Sequence, residues 1–199
     1  GATLIATSVI SPFMVPLKIL LMSAFLLALP FVLWQLWAFI APGLYSHEKK
    51  LVLPLVVSST LLFFIGVAFC YFFVFGQVFS FIQGFAPKSI TAAPDIEAYL
   101  SFVLTMFMAF GLSFEVPIAV VVLARMNIVS VEKLKNFRGY FIVIAFVIAA
   151  VVTPPDVVSQ LALAIPMCLL YEVGIWAAQI FIKHTKAPED TEEAASSSS

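Results

Sequence analysis

The chain has 199 residues, 63% of them hydrophobic and only 11% charged, with 10 Lys+Arg against 11 Asp+Glu and a formal net charge of −1. A soluble domain carries about 25% charge and about 45–50% apolar residues, so these proportions, with a mean hydropathy of +1.12, exclude a water-soluble globule and a disordered chain. The balanced charge also leaves no basic footprint for nucleic acid, and what remains is a polytopic membrane protein.

The first apolar run covers about 15–40, with Lys18 as its only charge. A helix of this length crosses a ~30 Å hydrocarbon core at 1.5 Å per residue. Trp34 and Trp37, with Tyr45 beyond them, read as an interfacial aromatic belt. The connector Gly43–Lys50 holds Glu48, Lys49 and Lys50. A carboxylate at a helix end beside aromatics can hold a guanidinium in bidentate fashion. A Glu next to two Lys is also an ordinary solvated charge, or a first-turn residue favoured by the helix dipole, and the residues alone favour that plainer reading.

The second run, about 52–76, contains Cys70. It is followed by a connector, Gln77–Glu97, with Pro87, Lys88, Pro94, Asp95 and Glu97. The third run, about 98–124, contains the most informative residue, Glu115, in Ser113-Phe114-Glu115-Val116-Pro117. Ten residues separate it from Arg125, or ~15 Å of helix, which sets it near the membrane midplane. A carboxyl there costs at least ~2.5 kcal/mol on insertion scales and marks a functional site by default. Pro117 has no N–H, so the Ser113 carbonyl loses its helical partner. Gly111, Ser113 and that carbonyl should form a kinked polar patch. Glu115 is either a structural hydrogen-bonding group or, the reading favoured here, a group on a lipid-accessible face that meets a partner or substrate.

The connector Arg125–Arg138 carries Arg125, Glu132, Lys133, Lys135 and Arg138. The fourth run, about 139–153, is too short to cross unaided at ~22 Å, so it must thin the bilayer or shelter among neighbours. Thr153-Pro154-Pro155-Asp156 ends it, and Asp156 is positioned to cap the last helix. The fifth run, about 157–181, holds Cys168, the uncharged Gln160 near its start, suited to an interhelical hydrogen bond or a partner contact, and Glu172, which should pair with a basic residue. The tail 183–199 is polar, then acidic, then ends in four serines, a composition that predicts disorder.

All five runs should be helices, since backbone in lipid must satisfy its own hydrogen bonds, and the runs are continuous rather than alternating as in a barrel. The expected fold is all-α. Lys49, Lys50, Arg125, Lys133, Lys135, Arg138, Lys183 and Lys186 fall on one set of faces, and only Lys18 and Lys88 on the other. The positive-inside rule puts the first set in the cytoplasm. The N-terminus of the chain is then outside, which predicts an earlier span, hence at least six spans in the native protein with both termini cytoplasmic. No phosphate loop, catalytic triad, metal spacing or GxxxG pattern occurs. His47 and His184 stand apart, and no cofactor or metal is expected.

Ile5-Ala6-Thr7, Ser11-Pro12-Phe13, Trp37-Ala38-Phe39-Ile40-Ala41-Pro42-Gly43-Leu44-Tyr45, His47-Glu48, Ser113-Phe114-Glu115-Val116-Pro117 and Thr153-Pro154-Pro155-Asp156 resemble, in order and to about residue 182, the TatC family of the twin-arginine translocase. The resemblance implies a transmembrane domain over 1–182 with five spans of a six-span, concave, glove-like bundle in the bacterial inner membrane. It implies a non-enzymatic receptor for twin-arginine signal peptides of folded precursors, acting with TatA, TatB and other TatC copies under the proton-motive force. Glu48 matches the family's signal-peptide-binding glutamate and Phe39 its partner, with Tyr45 and His47 in the same motif. Glu115 matches the buried glutamate that shapes the concave face. Asp156 and Gln160, with Thr153, Pro154 and Pro155, match the outer turn near which partner spans dock. The competing reading is a proton-coupled solute transporter using Glu115.

Overall fold

A computed structural model describes residues 4–47, 49–85 and 95–185. Among these residues the chain is helical, with no strand and a single parallel bridge between Ile5 and Asp95. The helices are α1 (Ser11–Ile40), α2 (Pro42–His47), α3 (Lys49–Phe69), α4 (Phe75–Phe85), α5 (Ile96–Ser113), α6 (Val116–Arg125), α7 (Val131–Asn136), α8 (Arg138–Val152) and α9 (Val157–Thr185). A π-helical turn, Cys70–Val74, joins α3 to α4 without interrupting the rod. Four stretches are long and apolar enough to cross a membrane: Ser11–Ile40, Lys49–Phe81, Ile96–Arg125 and Val157–Ile182. The molecule is a polytopic helical membrane bundle.

The five predicted runs are all helical, but their bounds differ. The first begins at Ser11, because Pro12 suits a helix's first turn, where no N–H is needed. The second continues nine residues past 76, to Phe85, so the connector is shorter than its composition suggested; 86–94 lie outside the described residues. The third is two helices, α5 and α6, broken at Phe114–Glu115. The last reaches Thr185, three residues into the predicted tail, while 186–199 lie outside the described residues. The short fourth run, α8, buries only Ala145 and Ala149. It packs along α9 and leaves most of its remaining surface exposed.

Three apolar clusters hold the bundle. At one end Cys70, Val74 and Val78 pack with Met106, Phe110, Ala149 and Leu163. In the middle Leu29, Leu33 and Trp37 of α1 meet Phe63, Ile118 and Val122. At the basic end Val120 and Ala124 meet Leu134, Tyr171 and Ile175. α6 packs most extensively on α9, and α3 on α5. Glycines make both approaches possible. A Cβ on Gly66 would lie 2.6 Å from the Phe110 carbonyl oxygen, one on Gly111 2.5 Å from the Phe63 ring, and one on Gly174 2.9 Å from Pro117 Cα. These contacts clamp the α5–α6 junction from both sides.

Candidate functional site

At the basic end α1 closes with two aromatics that face opposite ways. Trp37 is 3% exposed and donates its indole N–H to the buried Ser59 hydroxyl at 2.8 Å. It therefore belongs to the core rather than to an aromatic belt, because a buried indole finds its partner inside. Phe39 is 87% exposed. α2 follows at once, fastened by Ser46 Oγ donating to the Gly43 carbonyl at 3.1 Å. A Cβ on Gly43 would lie 3.0 Å from Met126 Cε, so α2 lies against the end of α6. Tyr45 and His47 belong to α2, but their side chains, and Glu48 altogether, lie outside the described residues. Lys49 and Lys50 are exposed at the start of α3.

At the break after α5, Glu115 starts α6, yet its side chain caps no backbone N–H. It is buried, at 8% exposure. Ser59 lies beside it, but neither carboxylate oxygen completes a hydrogen bond. Ser113 Oγ turns back onto the Ala109 carbonyl at 2.6 Å. The expected polar kink is present. The expected lipid-accessible carboxyl is not: in this chain Glu115 is buried, beside a break on which Gly66 and Gly111 let α3 and α5 close tightly.

At the opposite end Thr153 is 5% exposed and bonds the Ala149 carbonyl at 2.6 Å. The exposed Pro154 and Pro155 make the turn. Asp156 caps α9: Oδ1 accepts from the Ser159 N–H at 3.1 Å, and its carbonyl accepts from the Gln160 N–H at 3.2 Å. Asp156 Oδ2 and Ser159 Oγ are buried without partners. Thr153, Asp156 and Gln160 are thus gathered in one tight connection, while Glu115 and Phe39 lie on other elements. Among the described residues no group of His, Cys, Asp or Glu could hold a metal.

The sequence pattern of the family described as "TatC: Sec-independent protein translocase protein (TatC)" matches residues 1–166. The chain belongs to the TatC family. It is 54% identical over 183 residues to the TatC of Halothiobacillus neapolitanus, a match covering 92% of this chain and 50% of that protein. It is 52% identical over 182 residues to the TatC of Escherichia coli K12, covering 92% of this chain and 70% of that one. The chain thus spans about half the length of the first relative. A crystal structure of the twin arginine translocase receptor TatC superposes with a TM-score of 0.78 at 42% identity, covering 90% of this chain and 79% of that one.

This TatC-family chain also contains polar joints that reading the sequence did not pair. Lys18 Nζ donates to Glu97 Oε1 at 3.2 Å and to Ser101 Oγ at 3.0 Å, and Ser11 Oγ donates to Glu97 Oε2 at 2.8 Å. Just beyond, the Thr7 N–H donates to Asp95 Oδ1 at 3.2 Å and the Ile96 N–H to the Ile5 carbonyl at 3.0 Å. The bond from Thr7 holds the Asp95 carboxyl below the usual carboxylate range. The signal was available: Lys18 is the one charge in its run and Glu97 the one acid in the first turn of α5. At the basic end Arg138 Nε meets Glu172 Oε1 at 2.7 Å, giving Glu172 the basic partner its position called for.

Proposed function

We propose that the chain is the receptor and core subunit of a twin-arginine translocase. It binds the twin-arginine signal peptides of folded precursors and docks TatA and TatB, with other TatC copies, for export driven by the proton-motive force. The observation that carries this reading, beside the family, is Phe39: α1 anchors its end with buried Trp37 and presents Phe39 outward. An arginine pair is two planar, permanently charged forks, and a carboxylate flanked by aromatics suits them. Glu48 supplies the carboxylate, Phe39 and Tyr45 the rings, and His47 a further polar edge. One carboxylate cannot neutralise two guanidiniums, so a second acceptor is needed, and we look for it in the family's cytoplasmic N-terminal segment. Recognition and docking of this kind need no covalent chemistry and no cofactor. The basic end faces the cytoplasm of a bacterial cell, so the C-terminus is cytoplasmic and the start of this chain is outside.

Partner docking falls to Glu115, Thr153 and Gln160. A polar residue on an incoming single helix has few partners in hydrocarbon, and the unpartnered oxygens of Glu115 and Asp156 are unused hydrogen-bonding capacity. Reaching Glu115 requires the covering helices to part. Asp156, with Pro154 and Pro155, holds the outer turn in shape.

The test is crosslinking of a signal peptide to the full-length protein, comparing Arg-Arg with Lys-Lys. Label should fall around 39–48 with the Arg-Arg peptide, and Glu48→Ala should abolish it while membrane insertion continues. Equal yields from Glu48→Ala and the parent would end the assignment. Glu115→Gln keeps the hydrogen-bonding geometry and should preserve partner crosslinking, while Glu115→Leu should weaken it. A Glu115→Gln variant that binds normally but transports nothing would favour proton coupling at this residue instead.

A further inference from the structure

A groove of about 320 Å³ runs between α3, α6 and α9, away from the residues assigned above. Arg125 and Leu51 line it at the basic end, Leu55 and Ser58 along its wall, and Leu62 and Pro117 at its inner limit. From Leu51 to Leu62 is eleven residues of one helix, or ~16 Å, which matches half of a ~30 Å hydrocarbon core. The groove therefore spans one leaflet, from headgroup level to midplane. That length suits one acyl chain of a lipid in this leaflet.

Charge decides the headgroup. Arg125 lies in the last turn of α6, and exposed Lys49 and Lys50 adjoin Leu51. Among the described residues no acidic one lines the groove. A guanidinium has five N–H donors, so Arg125 can keep a protein contact and still hold a phosphate. Basic pockets between spans at headgroup level suit anionic lipids. The back wall is firm, because α6 is locked against α9 through Gly174 and Pro117.

We propose that this groove is a binding site for an anionic phospholipid of the leaflet at the basic end, with one acyl chain between α3, α6 and α9 and its phosphate on Arg125. The inference is independent of signal-peptide recognition. The experiment is native mass spectrometry of the full-length protein taken from bilayers of equal phosphatidylglycerol and phosphatidylcholine. The parent should retain one phosphatidylglycerol in preference to phosphatidylcholine. Arg125→Gln should lower that preference about tenfold, the loss of one hydrogen bond to a charged group. Ser58→Phe, at an exposed lining position that disturbs no core, should remove the retained lipid although Arg125 remains. Both variants should unfold at the parent's temperature. Unchanged retention in either variant overturns the proposal. So does retention of both lipids alike by the parent, or an efficient disulfide from Ser58→Cys to a cysteine placed in another span of the full-length chain, which would mean that protein covers the groove.

Discussion

Two stretches of thirty residues, α1 and the α5–α6 pair, look alike as sequence: both are apolar and both contain proline. α1 keeps its helix through Pro16 and Pro30, whereas α5–α6 breaks two residues before Pro117. Proline frees a carbonyl in each case, so proline alone does not explain the difference. In α1 only Ser11, Leu29, Leu33 and Trp37 are buried, and nothing packed closely against the prolines holds a break open. In α5–α6 the Ser113 hydroxyl competes for a backbone carbonyl, and Gly66, Gly111 and Gly174 bring neighbours hard against the junction. The comparison teaches that the break is held by packing, and that packing is also what buries an unpartnered carboxyl.

The strongest way to break this contrast is at Gly66. Gly66→Ala forces a methyl onto the Phe110 carbonyl, and backbone cannot step aside, so unfolding in detergent should show a loss of about 3 kcal/mol. Gly76→Ala, with nothing within 4 Å, should instead gain up to about 1 kcal/mol. Equal stabilities would mean that α3 and α5 are not in fixed contact. Glu115→Leu should stabilise by about 2 kcal/mol, since it removes a buried carboxyl that has no partner; a destabilised variant would reveal a partner for it. Gly111→Ala should cost about 2 kcal/mol, and Phe63→Leu in the same chain should recover most of it, because here a side chain rather than backbone is in the way. The smallest effect is expected at the prolines. Pro117 occupies the first turn of α6, where its missing N–H costs little, so Pro117→Ala and Pro30→Ala should each change stability by less than about 1 kcal/mol. Spin labels at Thr105 and Val121 should keep their separation in Pro117→Ala; a longer separation would make proline the cause of the break.

Membrane class, helical spans and the cap at Asp156 could be read from composition, run length and local chemistry, because each depends on a few adjacent residues. The place of the Glu115–Pro117 kink was legible from its proline, although the packing that holds it was not. Its burial was not, since that depends on glycines in two other helices, at 66 and 174, as well as its own Gly111. Trp37 misled in the same way: its amphipathic ring fits an interface, and only the position of Ser59 draws it inward. The Lys18–Glu97 joint needed the relative depth of two helices, which charge alone suggests but does not fix.

The π turn at Cys70–Val74 makes the α3–α4 rod one residue longer in sequence than in space. Its Phe75 N–H reaches back five residues to the Cys70 carbonyl, so the extra residue is absorbed within one wide turn, and the helical phase on either side is kept. Deleting one residue among Tyr71, Phe72 and Phe73 should therefore tighten the turn to an ordinary one and leave Gly66 on Phe110 and Val78 in its cluster. The same deletion in α5 would rotate everything beyond it by about 100°, carrying Phe110 off Gly66. Length variation is tolerable at one place in this wall of the bundle and ruinous at its neighbour.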